Sequence, residues 1–241
     1  MGTTSATKTK TPMPVILFIG DSIIRQLYVS FVGRIAGRHL NEPELKEATS
    51  TQPGVNGKMK AIPGTVITAG GVRLRFLQTW GERDTREIIP RQLANLEATT
   101  SGRVLVIANW GLMHKFRMGC NGEVHDHFSV GTTVLKAWLA ANTAVTGMEL
   151  VLLGPPAVLG LRNPGVTMGR GRAFFPLMQR FANESNALHA KLPGGGKLYT
   201  SVLDPFYLTH ARWDATDDGF HYSGTVGGTL VSMVLQHIGC S

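Results

Sequence analysis

One serine in this sequence stands where a predicted strand turns directly into a predicted helix. Ser22 follows the apolar run Val15 to Ile19 and the dipeptide Gly20-Asp21, and an amphipathic helical pattern begins at once after it. Such a turn exposes the hydroxyl group, and the free N–H groups and positive end of the following helix favour an oxyanion. The pattern therefore predicts a nucleophilic serine. The alternative is that Ser22 only caps the helix, because serine is a preferred N-cap residue.

A serine nucleophile needs a base, and the far end of the chain carries Asp218-Gly219-Phe220-His221. With the Asp-x-x-His spacing the carboxylate can fold back onto one imidazole nitrogen, which fixes the tautomer and turns the other nitrogen toward the serine. Asp217 is the competing carboxylate, but it lies one residue off this spacing. We therefore predict a catalytic triad of Ser22, His221 and Asp218.

An acyl-transfer site also needs N–H donors for the oxyanion of the tetrahedral intermediate. We predict that the backbone N–H of Ser22 is one donor. Asn109, which follows the apolar run Arg103 to Ala108, is the second, and its alternative role is that of a turn former. The third donor is the N–H of a glycine, either Gly71 or its neighbour Gly70.

Three further side chains are candidates for substrate binding. Arg25 lies one helical turn after Ser22, away from the apolar face of the helix, where it either holds a substrate carboxylate or pairs with Asp21 or another acid. The structural role is the favoured one. Trp110 and Tyr222 flank the predicted site residues, and their rings suit stacking on a sugar, although core packing explains them equally well.

The sequence does not predict a metal site. His125-Asp126-His127 lacks a third ligand at metal-binding spacing, so we expect it to be a solvated loop. The two cysteines, Cys120 and Cys240, are too few for a disulfide framework and are not spaced as metal ligands. The predicted chemistry therefore uses no cofactor, neither a metal nor a nucleotide.

The elements that must position these residues alternate between short β-branched runs and longer helical patterns, which is typical of an α/β protein with a parallel sheet. In such a sheet, sites form at the carboxyl ends of the strands. The predicted strands are Val15 to Ile19, Gly71 to Phe76, Arg103 to Ala108, Glu149 to Leu153 and Leu198 to Leu203. The predicted helices begin after Ser22, cover Thr133 to Ala144 and Phe174 to His189, and end the chain from Val226 to Ile238.

Composition predicts one domain. Residues 1–12 are rich in Thr, Lys and Ser and are predicted to form a flexible tail, whereas residues 13–241 contain no repeat and no linker. The stretch from Asn41 to Gly71 is rich in Pro, Gly, Lys and Asn and is predicted to leave the sheet. No apolar run reaches the length of a bilayer span, so we expect no membrane span in this chain.

The net charge of +8 raises the question of a nucleic-acid partner. The Lys and Arg residues are scattered, however, and no basic run is interleaved with aromatic residues. We therefore predict a solvated basic surface and no nucleic-acid partner. The charge is suited to attracting an acidic glycan or an anionic acyl donor.

Several sequence blocks resemble a known family. The segment Leu17 to Val32 closely resembles the block around the nucleophile in the luminal domain of sialate O-acetyltransferases, and Asp218-Gly219-Phe220-His221 resembles the closing Asp-Gly-x-His block. Val55 to Lys60 resembles a further segment of that domain. Asn109-Trp110-Gly111 is similar to the Asn-x-Gly of plant polysaccharide O-acetyltransferases. Both groups belong to the PC-esterase group of SGNH (GDSL-like) proteins.

This resemblance implies a three-layer α/β/α SGNH-hydrolase (flavodoxin-like) fold with a central parallel sheet. It implies that Ser22 carries the acyl group, that Asp218 and His221 complete the triad, and that Asn109 supports the oxyanion hole. A secretory lumen (Golgi) or extracellular location is implied as well. The multi-pass membrane part that follows this domain in the sialate enzymes is not in this sequence, which leaves the acyl donor open.

We therefore predict a serine-dependent acyl-ester enzyme that moves or removes O-acetyl groups on carbohydrate through an acyl-serine intermediate. Its partner is an acylated carbohydrate or a sugar acceptor. With a sugar hydroxyl as acceptor the protein is an O-acetyltransferase, and with water it is an acetylesterase. The alternative is a non-catalytic glycan-binding module on the same scaffold.

Overall fold

The computed structural model describes residues 14–37, 51–53, 59–61, 67–69, 72–97, 102–111, 124–157, 168–191, 197–212, 216, 222 and 225–237. The predicted flexible tail, residues 1–12, lies outside the described residues. The described residues of the predicted domain run from β1 to the last helix.

A mostly parallel sheet forms the centre of the molecule. The described strands are β1 (Val15–Gly20), β2 (Thr51–Pro53), β3 (Met59–Ala61), β4 (Ile67–Ala69), β5 (Val72–Gln78), β6 (Gly102–Ala108), β7 (Val145–Leu153) and β8 (Leu198–Leu203). Five of them run parallel in the order β5-β1-β6-β7-β8, and β4 pairs antiparallel with β5 at one edge. The short strands β2 and β3 form a separate antiparallel pair.

The strand order determines where a site can form. Numbered among themselves, the parallel strands follow a flavodoxin-like order in which the first strand lies between the second and the third. The chain leaves β1 toward β5 and later returns past it to β6, so the direction of winding reverses between β1 and β6. Ligands bind at this switch point, beyond the carboxyl ends of the strands.

All five predicted strands are present, four of them with shifted ends. The last, β8, has the predicted bounds, whereas β7 begins earlier, at Val145, and β5 continues to Gln78. The prediction that Asn41 to Gly71 leaves the sheet is wrong in part, because β4 lies within it and joins the main sheet. A three-residue strand is too short for its alternation of side chains to stand out in a Gly-rich and Pro-rich sequence.

Helices cover both faces of the sheet. They are α1 (Ser22–Ala36), α2 (Glu82–Glu87), α3 (Ile89–Glu97), α4 (Val124–Ala141), α5 (Met168–Ala190), α6 (Phe206–His210) and α7 (Thr225–His237) within the described ranges. Helix α1 packs against α7, while α2, α3, α4 and α5 pack with one another. The crossover from β1 to β5 runs in one direction across the sheet, and those from β5 to β6, β6 to β7 and β7 to β8 run in the other. Because such crossovers are right-handed, the two groups of helices lie on opposite faces, which gives three layers. The sequence pattern does not predict α2, α3 or α6.

Aromatic packing holds α1 on the sheet. Phe18 of β1 contacts both Tyr28 and Phe31 of α1 edge to face, with ring centroids 5.3 Å apart in each pair. Tyr28 also stacks on Phe76 of β5, at 5.9 Å. Seven apolar residues recur at helical spacing along α1, of which Ile35 packs partly buried against the core and the other six are buried: Ile23, Ile24, Leu27, Tyr28, Phe31, Val32 and Ile35. These contacts fix the first turn of α1 above the end of β1.

The last helix behaves as its apolar pattern predicts. Val226, Leu230, Val231 and Val234 are buried, while Ile238 lies outside the described residues. Among the helices described, none combines the length and the hydropathy needed to cross a membrane.

Candidate active site

The structure separates the nucleophile candidate from the helix cap. Asp21 is the N-cap of α1, and its Oδ1 accepts a hydrogen bond from the N–H of Ile23 at 3.0 Å. Ser22 is the first helical residue and is partly exposed. The alternative in which Ser22 caps the helix is therefore wrong, because the neighbouring carboxylate already performs this function. Ser22 instead lies at the positive end of a 15-residue helix.

Asn109 connects the ends of β1 and β6 across the switch point. Its buried Oδ1 accepts the N–H of Asp21 at 3.2 Å and that of Gly111 at 3.1 Å. Its Nδ2 donates to Oδ1 of Asp21 at 2.9 Å. A side-chain amide carries two N–H donors, so this bond uses one of them. The predicted turn-forming role of Asn109 is thus present in the structure and is compatible with a donor role.

The strand ends meet so closely that a glycine is required. A Cβ atom on Gly20 would lie 2.1 Å from Oδ1 of Asn109 and 2.6 Å from Cγ1 of Ile24. These separations are far below van der Waals contact. Gly20 therefore allows the Asn109 amide to reach the backbone of the neighbouring strand, as glycine does where backbones approach closely.

A third loop, after β5, completes this edge of the sheet. The N–H of Thr79 donates to the carbonyl of Gly20 at 2.9 Å, which extends the pairing of β5 with β1. Gly111 has a φ of +77°, and a Cβ atom there would lie 2.6 Å from the carbonyl carbon of Trp80 and 2.8 Å from the nitrogen of Gly81. The loops after β1, β5 and β6 are therefore in direct backbone contact.

This third loop contains a glycine that the sequence analysis missed. The predicted third oxyanion donor, Gly71, and its alternative Gly70 lie outside the described residues. Strand β5 begins at Val72 and reaches the carboxyl edge only at Gln78, three residues before Gly81. Gly81 stands beside Gly111, and its N–H makes only a long hydrogen bond, 3.4 Å, to Oγ1 of Thr79. A glycine soon after the end of a predicted strand is the signal that would have identified it.

Arg25 lies beside the cap carboxylate. Burial lowers the pKa of the Arg25 guanidinium from its ordinary value, and the charge of Asp21 acts in the opposite direction. A guanidinium stays charged at neutral pH even so. The influence of Asp21 agrees with the favoured interpretation, in which Arg25 interacts with that acid, and the two side chains add charge of both signs to the first turn of α1.

Trp110 does not present its ring to a ligand. The ring is fully buried, with no exposed surface, so the prediction that Trp110 stacks on a sugar is wrong and core packing is its role. The residue has a φ of +53°, in the left-handed region that non-glycine residues rarely adopt. With Gly111 it makes a turn of two consecutive left-handed residues, and this turn directs the ring into the core beneath Asn109.

A glycine of α4 makes room for this ring, which gives a first prediction. A Cβ atom on Gly131 would lie 2.3 Å from Cε2 and 2.4 Å from Cδ2 of Trp110. We expect Gly131→Ala to lower the free energy of unfolding by about 1–3 kcal/mol, despite alanine's better helix propensity, because the buried ring cannot move away. Chemical denaturation measures this difference.

The matched control is Gly228→Ala in α7, where the added methyl group meets nothing within 4 Å. Because only helix propensity changes there, we expect a gain of up to about 1 kcal/mol. Equal effects of the two substitutions would contradict the proposed packing of Trp110.

Tyr222 is also a packing residue. Its side chain is buried, and its hydroxyl donates to the carbonyl of Ala157 at 2.8 Å, so the prediction that its ring stacks on a sugar is wrong. Its ring lines a small apolar cavity together with Ile23 and Leu27 of α1. The residue that follows Ser22 in the chain and the residue that follows His221 thus line the same cavity.

The predicted base falls outside the part of the chain that the structure describes. Asp218, His221 and the competing Asp217 all belong to residues 217–221. Their roles in a triad therefore stay predictions. His127, in contrast, is described: it is buried in the first turns of α4, so the prediction that residues 125–127 form a solvated loop is wrong.

Comparisons with known proteins define the fold. No protein-family model matches this sequence, and no curated protein matches it. Among solved structures, the chain is similar to a carbohydrate esterase family 3 protein from Talaromyces cellulolyticus, with a TM-score of 0.50 and 14% sequence identity over 95% of this chain and 99% of that chain. It is also similar to a catalytic mutant of Axe2, an acetylxylan esterase from Geobacillus stearothermophilus, with a TM-score of 0.48 and 12% identity over 94% of each chain.

These findings confirm the predicted fold class: a central parallel sheet between two layers of helices, in an arrangement similar to that of the Talaromyces protein. At such low identity the similarity concerns the fold alone. The roles of individual residues must therefore be argued from the geometry of this chain.

Proposed function

We propose that this protein is a serine-dependent esterase that removes O-acetyl groups from carbohydrates. The observation that carries the proposal is the arrangement at the switch point. Ser22 begins α1 while Asp21 caps it, and the loops after β5 and β6 converge beside them. A hydroxyl at a helix N-terminus with backbone amides close by is the arrangement that acyl transfer requires.

In this proposal three donors stabilise the oxyanion. They are the N–H of Ser22, the N–H of Gly81 and the second Nδ2 hydrogen of Asn109. Asn109 is fixed by its three hydrogen bonds to Asp21 and Gly111, so its amide needs no reorganisation when charge develops. Such preorganised donors are usually the largest single contribution to catalysis of this kind.

His221 and Asp218 supply the base of the proposed mechanism. Two observations support this assignment. One is the Asp-x-x-His spacing of Asp218 and His221, and the other is that Tyr222 lines the cavity beside the first turn of α1. The chain immediately after His221 therefore returns to the helix that carries Ser22. Asp218 would orient the imidazole and stabilise its protonated form.

The proposed reaction proceeds in two steps. His221 takes the proton from Oγ of Ser22, which attacks the ester carbonyl carbon; the bond to the sugar oxygen then breaks, and His221 returns the proton to that oxygen. An acetyl-serine remains. Water, activated by the same imidazole, attacks the acetyl carbon, acetate leaves, and the proton returns to Ser22.

Two findings favour a carbohydrate as the alcohol part of the ester. The similar Talaromyces structure is that of a carbohydrate esterase, and the sequence blocks resemble O-acetyltransferases that act on sugars. The resemblance also makes a sugar hydroxyl an alternative acceptor for the acetyl group, which the experiment must distinguish from water.

The test measures acetate released from acetylated xylan and from per-O-acetylated methyl glucoside, with and without an excess of unacetylated xylobiose. We expect acetate release in both cases and an acetyl group on Ser22 in rapidly quenched samples, detected by peptide mass spectrometry. Acetylated xylobiose in place of free acetate would identify a transferase. Sugar binding with no turnover of any ester would favour the non-catalytic module instead.

A further inference from the structure

We infer that Trp80 is a binding platform on which a sugar ring of the ester substrate stacks, at the rim of the candidate active site. This inference rests on the proposed function and adds a specificity residue to it. It assigns to Trp80 the role that the sequence analysis gave to Trp110 and Tyr222, both of which are buried.

The position of Trp80 carries the inference. It follows β5 by two residues, and β5 is in register with β1 so that Gln78 lies opposite Gly20. The carbonyl carbon of Trp80 lies within 2.6 Å of the position of a Cβ atom on Gly111. Trp80 is therefore next to the turn that holds Asn109, on the carboxyl edge of the sheet where Ser22 lies.

Nothing in the loop after β5 explains why the side chain of Trp80 is exposed. The residue is 37% exposed, although its neighbour Thr79 is fully buried. The other exposed large hydrophobic side chains in the described ranges lie on α5, on β8 and on α6, and none of them belongs to the loops after β1, β5 or β6: Leu177, Leu188, Tyr199 and Tyr207. A tryptophan exposed beside a candidate active site is a feature of binding sites rather than of ordinary surface.

The backbone of Trp80 is held firmly while its ring is exposed. Its N–H donates to Oδ2 of Asp84 at 2.9 Å. On either side, Oγ1 of Thr79 and Oγ1 of Thr85 lie 3.0 Å apart and within 3.1 and 2.9 Å of the carbonyl oxygen of Gly81. One of the two hydroxyl groups donates to this carbonyl, and the other donates either to the same carbonyl or to its hydroxyl neighbour. A rigid aromatic side chain with two torsion angles loses little entropy on binding.

An indole ring suits one face of a pyranose. The axial C–H groups of a sugar form an apolar patch that packs on an aromatic face, while the hydroxyl groups around it remain in water. A ring stacked on Trp80 would be bound beside the Asn109 and Gly81 loops. An acetyl group on that ring or on the next one would then reach the oxyanion donors and Ser22.

The test compares two esters in Trp80→Ala, Trp80→Phe and Tyr199→Ala. The first ester is per-O-acetylated xylobiose, and the second is ethyl acetate, which has no ring. We expect Trp80→Ala to lower the ratio of kcat/KM for the sugar ester to kcat/KM for ethyl acetate by about two- to tenfold, mainly through KM. Trp80→Phe should retain most of this ratio. Tyr199→Ala is the matched control, because Tyr199 is 57% exposed but lies at the amino end of β8, opposite to the carboxyl edge that carries Ser22, and the ratio should not change.

A ratio that stays constant in Trp80→Ala, whether both activities fall together or neither falls, would overturn the inference. A second measurement separates this failure from that of the proposed function. Unacetylated xylotetraose is titrated against the wild-type protein and Trp80→Phe while tryptophan emission is recorded. If no ester is hydrolysed but xylotetraose changes the emission of the wild type only, the esterase proposal fails and the platform stands. The absence of any difference between the two proteins overturns the platform as well.

Discussion

Replacing Ser22 with alanine is expected to lower kcat for acetate release by about 10⁴-fold, because the acyl-enzyme can no longer form and only general stabilisation by the site remains. The folded state should hardly change. Asp21, rather than Ser22, accepts the N–H of Ile23, and alanine is favourable within a helix. We therefore expect a free energy of unfolding within about 0.5 kcal/mol of the wild type. Acetate release and thermal unfolding, measured on the same preparation, test both statements.

A matched control is Ser232→Ala in α7. The hydroxyl of Ser232 donates to the carbonyl of Gly228 within the helix at 3.1 Å, and nothing connects it to the switch point. This variant should retain full activity. If Ser22→Ala also retained more than about a tenth of the wild-type kcat, the nucleophile would be another residue, since a lost nucleophile costs several orders of magnitude.

Replacing Gly20 with alanine is expected to have the largest structural effect. The added methyl group would displace Asn109 from Asp21, because their contact leaves only 2.1 Å between the new carbon and Oδ1 of Asn109. We expect the free energy of unfolding to fall by about 3 kcal/mol or more, since the clash is joined by the loss of buried hydrogen bonds. In the protein that remains folded, kcat should fall by about 10²-fold, because a displaced amide no longer stabilises the oxyanion.

The control is Gly147→Ala, a substitution of the same kind in another parallel strand of the same sheet. A Cβ atom on Gly147 in β7 meets its nearest neighbour, the carbonyl of Lys197, at 4.0 Å, which is ordinary contact. Denaturation should show a change within about 0.5 kcal/mol, and activity should persist. If Gly20→Ala instead had the stability and kcat of Gly147→Ala, the hydrogen bonds of Asn109 would not organise the site.

Local sequence was sufficient to predict the layers of the fold. Buried parallel strands are continuous apolar runs, and in the amphipathic helices between them apolar residues recur with the helical period. Both kinds of element can therefore be predicted without knowledge of the tertiary structure. Short strands and helices were the exception, because local sequence did not predict them. Strand β4 has three residues and α2 has six, and neither presents enough periods for a pattern to emerge.

The placement of Ser22 and Asn109 was also predictable, because each follows an apolar strand and parallel strands end at one edge of the sheet. Which of the two residues Asp21 and Ser22 caps the helix was not predictable. Both residues are preferred at helix N-caps, and only the backbone conformation of Asp21, with its hydrogen bond to Ile23, identifies the cap.

The sequence by itself thus determined the alternation of strands and helices, and the arrival of a serine and an asparagine at the same edge of the sheet. Only the tertiary structure decided which tryptophan is buried and which is exposed. Trp110 points inward because a left-handed turn and Gly131 make space for it. Trp80, in contrast, lies in the loop after β5, where its backbone N–H is bound by Asp84 and its side chain is exposed. Burial depends on neighbours that are distant in the chain, so the residue type alone does not show whether a side chain is buried.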